Sequence, residues 1–258
     1  MARTIEAEKL SHARKTGRII ARSDLARVVA PTVAYEVQDE ILKSVGGRVG
    51  AWKIGGTAAP ALKTIGLDAP FFSPVLSTSV FNNDTDVAIA EIHKPLAEVE
   101  FAFRLKGDLV AGRSDYSPDD IRAAVGSVHP SLEIVACRVE GGVAGLGMGA
   151  IADLGVNGAV VIGEELSAPS IAHLTSVPVK LAVNDKIEAA GTAKQLVWDH
   201  PSDALMWLAN HPLRSRDLRA GEYILTGTCT GVRPLENSDQ IRGDFGAGGT
   251  VACRIRLV

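Results

Sequence analysis

PLAEVEFAFRL, residues 95–105, decides how the chain is read. Val99, Phe101, Phe103 and Leu105 alternate with Glu98, Glu100, Ala102 and Arg104. A period of two is that of a β-strand, whose successive side chains point to opposite faces. The apolar set belongs in a core. The other face carries two carboxylates, two residues apart and pointing the same way. A second strand-like run, LEIVACRV at 132–139, sets Glu133 on a face with Val135, Cys137 and Val139. A carboxylate on so apolar a face needs a cation or hydrogen bonds. Three oxygens converging from two strands suit a hard divalent cation. The competing reading leaves Glu98 and Glu100 on the wet face of a half-buried sheet.

Working outward, VGAWKIGG at 49–56 reads as a strand closing in glycines. Lys53 shares a face with Val49, Ala51 and Gly55, small neighbours that leave room for a ligand. The alternative is an edge-strand lysine whose stem covers apolar surface. The first 46 residues read as helical, with Ile5, Leu10 and Ala13 on one face and VAYEVQDEILKSV halted by Gly46 and Gly47. APFFSPVLSTSVF at 69–81 reads as loop followed by a short strand. Ser117, Pro118 and Asp120 form a helix start. GGVAGLGMG at 141–149 lacks the full dinucleotide fingerprint and reads as a flexible connection or lid. VPVKLAVNDKIEAAG predicts a hairpin turning at Asn184–Asp185, and HPSDALMWLAN a helix. YILTG and TVACRIRLV are further strands. Helices come first and many strands follow, without a βαβ repeat. The class is therefore α+β: an N-terminal helical region over residues 1–47, then a mixed β core over 48–258, in one continuous domain.

The 258 residues carry 27 Lys and Arg against 30 Asp and Glu, well mixed, so no basic tract suggests nucleic acid. Hydrophobic residues at 46% and charged residues at 22% fit an ordinary soluble globular chain. No run approaches the ~20 apolar residues that cross a membrane. Cys137, Cys229 and Cys253 have neither disulfide-framework nor metal-ligand spacing. MARTIEAEKL has no apolar segment after its charges, so a cytoplasmic location is expected.

The ordered series AYEVQ at 34–38, WKIG at 52–55, PLAEVEFAF, SLEIVACR, IAD at 151–153, HPSDALMWLAN and ILTGT resembles the 2-hydroxypenta-2,4-dienoate (2-keto-4-pentenoate) hydratase and 4-oxalocrotonate decarboxylase family. That family is related to the fumarylacetoacetate hydrolase superfamily. The resemblance implies a mixed β core of the fumarylacetoacetate-hydrolase type. It implies a Mg²⁺ or Mn²⁺ site made by Glu98, Glu100 and Glu133, an active-site lysine at Lys53, and a substrate-side loop at Thr226, Gly227 and Thr228. It also implies a small 2-oxo or 2-hydroxydienoic acid as substrate, a homo-oligomer, and a possible complex with a related lyase.

Two regions depart from the family pattern. Hydratases usually have an acidic residue where this chain has Thr78. After IAD, with its Asp153, the usual Asn and nearby Ser are replaced by Leu154 and Val156, with Asn157 next. These departures keep the metal end and alter the polar end. The leading expectation is a metal-dependent lyase, a hydratase of a 2-hydroxy-2,4-dienoate. A 2-oxo-acid decarboxylase, an acylpyruvate-type hydrolase and a non-catalytic partner subunit are the alternatives. No His-Glu dyad supports the hydrolase; His93 reads as a surface or loop residue, and His129 and His200 as residues flanking element ends. A lysine buried next to a cation is expected to titrate nearer neutrality.

Overall fold

The structure is a computed structural model and describes residues 4–166, 171–198 and 200–258. Two helices precede the first strand. Helix α1 (Ile5–Thr16) is capped by the Thr4 hydroxyl, which accepts from the Ala7 N–H. Helix α2 (Pro31–Val45) starts with proline, buries Ala34, Val37, Gln38, Ile41 and Leu42 on one stripe, and ends at Gly46 with φ 68°. The remaining helices are α3 (Ala59–Ile65), α4 (Pro118–Ala124), α5 (Met148–Ala152) and α6 (Pro201–Ala209). Helix α4 begins with the expected cap: the Ser117 hydroxyl accepts from the Asp120 N–H.

The strands are β1 (Val49–Gly55), β2 (Phe71–Leu76), β3 (Val80–Asn82), β4 (Thr85–Ile89), β5 (Leu96–Leu105), β6 (Val125–Val135) and β7 (Asn157–Ile162). They continue with β8 (Val179–Val183), β9 (Lys186–Gly191), β10 (Tyr223–Thr228), β11 (Arg233–Pro234), β12 (Gln240–Asp244) and β13 (Thr250–Leu257). One sheet runs β2-β1-β10-β5-β6-β7-β3, with β11 added beside β5. The other runs β4-β13-β12-β8-β9. The β8–β9 hairpin turns where expected, with Asn184 and Asp185 both at positive φ.

β2 leads through a short 3₁₀ turn at Ser77–Ser79 straight into β3, yet the two strands occupy opposite ends of the first sheet. That sheet therefore curls on itself. Its inner face holds mostly small or branched residues: Ala51, Val75, Ala102, Val160, Ile162 and Leu225. Its outer face gives Trp52, Val99, Phe101, Leu132 and Ile134 to the main core, which the second sheet shares. Phe101 meets Phe245 there edge to face, ring centroids 5.0 Å apart.

The curl corrects the half-buried reading of residues 95–105. Val99, Phe101, Phe103 and Leu105 are buried, but so are Glu100 and Ala102, because the sheet's second face is an interior. The 69–81 segment also differs. Phe71–Leu76 is a wholly buried strand, antiparallel to β1, and Pro74 is tolerated because β2 lies at the end of the sheet order. The glycine-rich segment is tethered: Gly145 and Gly147 N–H groups donate to the Thr64 and Ile65 carbonyls, both at 2.8 Å. Arg22 donates to the Gly142 and Ala144 carbonyls. His93 is buried, its ring nitrogen donating to the Arg18 carbonyl, and His129 lies inside β6. Among the described residues no helix is long and apolar enough to cross a membrane.

Candidate functional site

Strand register assembles the acidic cluster. Glu98 and Glu100 point inward from β5, and Glu133 of β6 lies directly across from Glu98. One carboxylate oxygen from each of the three lies within 4.8 Å of the others. Glu100 and Glu133 are 1% and 0% exposed, while Glu98 is half-buried. Lys53 joins them from β1, 4% exposed, its Nζ 3.1 Å from Glu133 Oε1. Ser73, on the neighbouring strand, pairs with Lys53 in register.

Lys53, Glu133 and Glu100 have fixed partners. Lys53 donates to the Gly155 carbonyl at 3.1 Å, and Asn157 Nδ2 donates to Glu133 Oε1 at 3.2 Å. The Gly227 N–H donates to Glu100 Oε2 at 2.8 Å. Gly227 has φ 100°, and a methyl there would overlap Thr57, so only glycine presents that N–H. Two buried oxygens, Glu100 Oε1 and Glu133 Oε2, have no hydrogen-bond partner. Orphaned buried carboxylate oxygens are costly unless a proton or cation satisfies them. The donor set, three hard oxygens on two rigid strands, fits a divalent cation.

Electrostatics agree with that fit. Burial, then the neighbouring Glu133, pushes Glu98 up to about 7, while Lys53 pulls the other way. Burial, Glu133 and Glu98 together hold Glu100 well above the usual carboxylate range. Burial depresses the Lys53 ammonium, but Glu133, Glu98 and Glu100 outweigh it, and the net direction is upward. That upward direction belongs to the cluster without a cation, whereas the expectation of a lysine nearer neutrality concerns one beside a bound cation.

The cluster opens on a cavity of about 380 Å³. Lys53 and Glu98 line it on the polar side, Ile54, Phe71, Val135 and Val156 form apolar wall, and Gln195, Thr228 and Arg233 also line it. Of the sequence-derived positions, Thr228 and Val156 reach the cavity along with Lys53 and Glu98. Thr226 is buried and donates to the Phe101 carbonyl. Thr78 is exposed in the 3₁₀ turn between β2 and β3 and does not line the cavity. Asp153 is fully buried in an ion pair with Arg138 at 3.2 Å, and Leu154 is buried beside it. Leu154, Gly155 and Val156 have φ 49°, 63° and 52°, three consecutive left-handed residues. For leucine and a β-branched valine this is a strained conformation, costing roughly 1–2 kcal/mol per residue. Gly155, Asn157, Thr57 and Phe71 were not singled out as site residues from sequence. Asn157 had a local signal, the polar residue that opens β7; the others depend on contacts from distant segments.

The curled sheet and the cavity of carboxylates and lysine together define an α+β enzyme. The chain belongs to the fumarylacetoacetate hydrolase family: the model described as fumarylacetoacetate (FAA) hydrolase C-terminal matches residues 49–256. A 2-keto-4-pentenoate hydratase of Burkholderia vietnamiensis is 27% identical, over 86% of this chain and 85% of its own length. A 2-oxo-hept-4-ene-1,7-dioate hydratase of Escherichia coli is 29% identical, over 86% of this chain and 85% of its own length. In fold, the chain is similar to the 4-oxalocrotonate decarboxylase of Pseudomonas putida G7 complexed with magnesium and adipate, with TM-score 0.84 and 21% identity over 98% of this chain and 100% of that one. A fumarylpyruvate hydrolase of Pseudomonas aeruginosa, in complex with Mn²⁺ and pyruvate, matches 82% of this chain and 91% of its own, with TM-score 0.60 and 17% identity.

Proposed function

We propose that the chain is a divalent-metal-dependent lyase acting on a small 2-oxo acid, and specifically a hydratase of a 2-hydroxy-2,4-dienoate. The observation that carries this is the pair of orphaned oxygens on Glu100 and Glu133, buried opposite a lysine in a mostly apolar cavity. Glu98, Glu100 and Glu133 would hold Mg²⁺ or Mn²⁺, which supplies Lewis-acid stabilisation of negative charge on a bound 2-oxo acid. Lys53, protonated and fixed by Glu133 and the Gly155 carbonyl, gives one proton to the carbon chain as the dienol ketonises, regaining it from the enol hydroxyl. It gives a second as water adds, regaining it from the water whose hydroxyl bonds to the far end of the conjugated system. Ile54, Phe71, Val135 and Val156 exclude bulk water from that chain. Thr228 supplies a hydroxyl at the wall, with its neighbours Thr226 and Gly227 fixing that strand end against β5. The names of the sequence relatives support hydration as the reaction.

A second reading, decarboxylation of a 4-oxalocrotonate-type acid, is favoured by one observation. Among the described residues lining the cavity, the ionisable groups are Lys53, Glu98 and Arg233, with no histidine or aspartate to activate water. Departure of CO₂ needs no attacking water. Metal-depleted protein resupplied with Mg²⁺ or Mn²⁺ and given 2-hydroxydienoates, 4-oxalocrotonate-like acids and acylpyruvates tests both. A hydrated product supports the first reading, and CO₂ release the second. Cleavage of an acylpyruvate overturns both. No turnover together with no metal binding makes the chain a non-catalytic partner.

A further inference from the structure

We propose that Arg14, carried on helix α1, is a positioning residue for Lys53, acting through the left-handed turn at 154–156. The proposal rests on the role given to Lys53 above. Three successive left-handed residues persist only where the surroundings over-determine them. Here both ends of the turn are held. Arg14 Nη2 donates to the Asp153 carbonyl and Nη1 to the Asn157 carbonyl, each at 3.2 Å. Arg138 Nη2 donates to the same Asn157 carbonyl at 2.7 Å, and its backbone N–H holds the Asp153 carboxylate at 2.9 Å. Between these two anchors the Gly155 carbonyl meets Lys53, and just beyond them the Asn157 amide meets Glu133.

Arg14 contacts neither Lys53 nor Glu133. It fixes the two backbone carbonyls that flank the groups which do. A guanidinium can bridge two carbonyls four residues apart because its donors form a rigid planar fork; a lysine ammonium is a single point on a flexible stem. Helix α2 supports the same segment, Gln38 Nε2 donating to the Ile151 carbonyl at 2.5 Å. Both helices lie before residue 49, where the family match begins. The helical layer thereby becomes part of the catalytic geometry.

The test uses the full chain with Mg²⁺, as Arg14→Ala and Arg14→Lys. Misplacing a catalytic group by about 1 Å can cost up to 100-fold in rate, so kcat falls about 10- to 100-fold in both variants. KM stays at the wild-type value. Amide exchange speeds up at 154–157 but not in the β8–β9 hairpin, and millimolar guanidinium restores part of kcat to Arg14→Ala. Wild-type kcat in either variant overturns the proposal. So does a loss accompanied by exchange rising evenly along the chain without guanidinium rescue. Should Arg14→Ala fail to fold, Arg14→Lys decides. Lys53→Met, run in parallel, separates the two claims: wild-type turnover there removes the lysine's role, while local exchange at 154–157 still reports whether Arg14 holds the turn.

Discussion

Gly155→Ala is the substitution whose cost can be worked out most directly. At φ 63° an alanine adopts a left-handed backbone, at roughly 1–2 kcal/mol. Its Cβ would lie 2.8 Å from Ser73 Cβ and 2.9 Å from Lys53 Cδ. Lys53 can flex at that carbon, but Ser73 Cβ is fixed to the buried strand β2, so the turn itself must move. Overpacking of this kind costs roughly 1–3 kcal/mol. The sum is about 2–5 kcal/mol, and at about 2–4 °C per kcal/mol for a chain of this size the melting temperature falls by roughly 4–20 °C. Moving the turn also draws the Gly155 carbonyl from Lys53, so kcat drops by about tenfold or more. Gly46→Ala is the internal control. It too has positive φ, 68°, but no atom lies within 4 Å of the added carbon. It suffers the conformational cost alone, about 1–2 kcal/mol, and leaves kcat unchanged. Thermal melts of both variants, with steady-state kinetics, decide the matter. If Gly155→Ala melts no lower than Gly46→Ala and turns over normally, the packing argument is wrong.

Three further outcomes follow from the same geometry. Glu98→Gln weakens Mg²⁺ binding by about tenfold or more, read by calorimetric titration; unchanged affinity removes Glu98 as a ligand. Lys53→Met lowers kcat by about 10²- to 10⁴-fold while Mg²⁺ binding survives, and unaltered kinetics take the lysine out of the mechanism. pH gives the third. Glu98 titrates at about 7 in the folded protein, above its ordinary value, so its contribution to stability is complete in acid and is lost as pH rises through 7. The metal-free protein therefore loses melting temperature between about pH 4.5 and pH 7, and the gain on adding Mg²⁺ widens over that window. A Mg²⁺ increment that is flat with pH contradicts the protonated cluster.

Much of the scaffold was legible because it rests on local rules. The alternation in residues 95–105 identified β5. Asn184–Asp185 marked the hairpin, and Ser117 with Asp120 marked the start of α4. That Glu98 and Glu100 share one face, opposite the apolar set, also followed from parity along their strand. What remained hidden was set by distant partners. Pro74 disguised β2, since its tolerance there depends on the strand lying at the end of the sheet order. The burial of β5 on both faces depends on the sheet's curl, which no window of sequence contains. Thr78 was assigned by its place in a motif, yet its side chain lies outside the cavity. Nothing in the surroundings of Arg14 announced that it would reach carbonyls 139 and 143 residues away.

The order of strands in the curled sheet carries a kinetic consequence. Glu98 and Glu133 sit on β5 and β6, neighbours in the chain as well as in space, so their pairing closes a loop of modest length. Lys53 sits on β1, whose parallel partner β10 arrives some 170 residues later, with Lys53 matched to Leu225. Closing the acidic half therefore costs less chain entropy than bringing in the lysine, and the acidic half is expected to form first on refolding. For a time the carboxylates stand together without their internal counter-charge. A divalent cation, held as proposed above, would stabilise that nascent hairpin as well as the finished enzyme. Refolding with Mg²⁺ should then be faster than refolding without it.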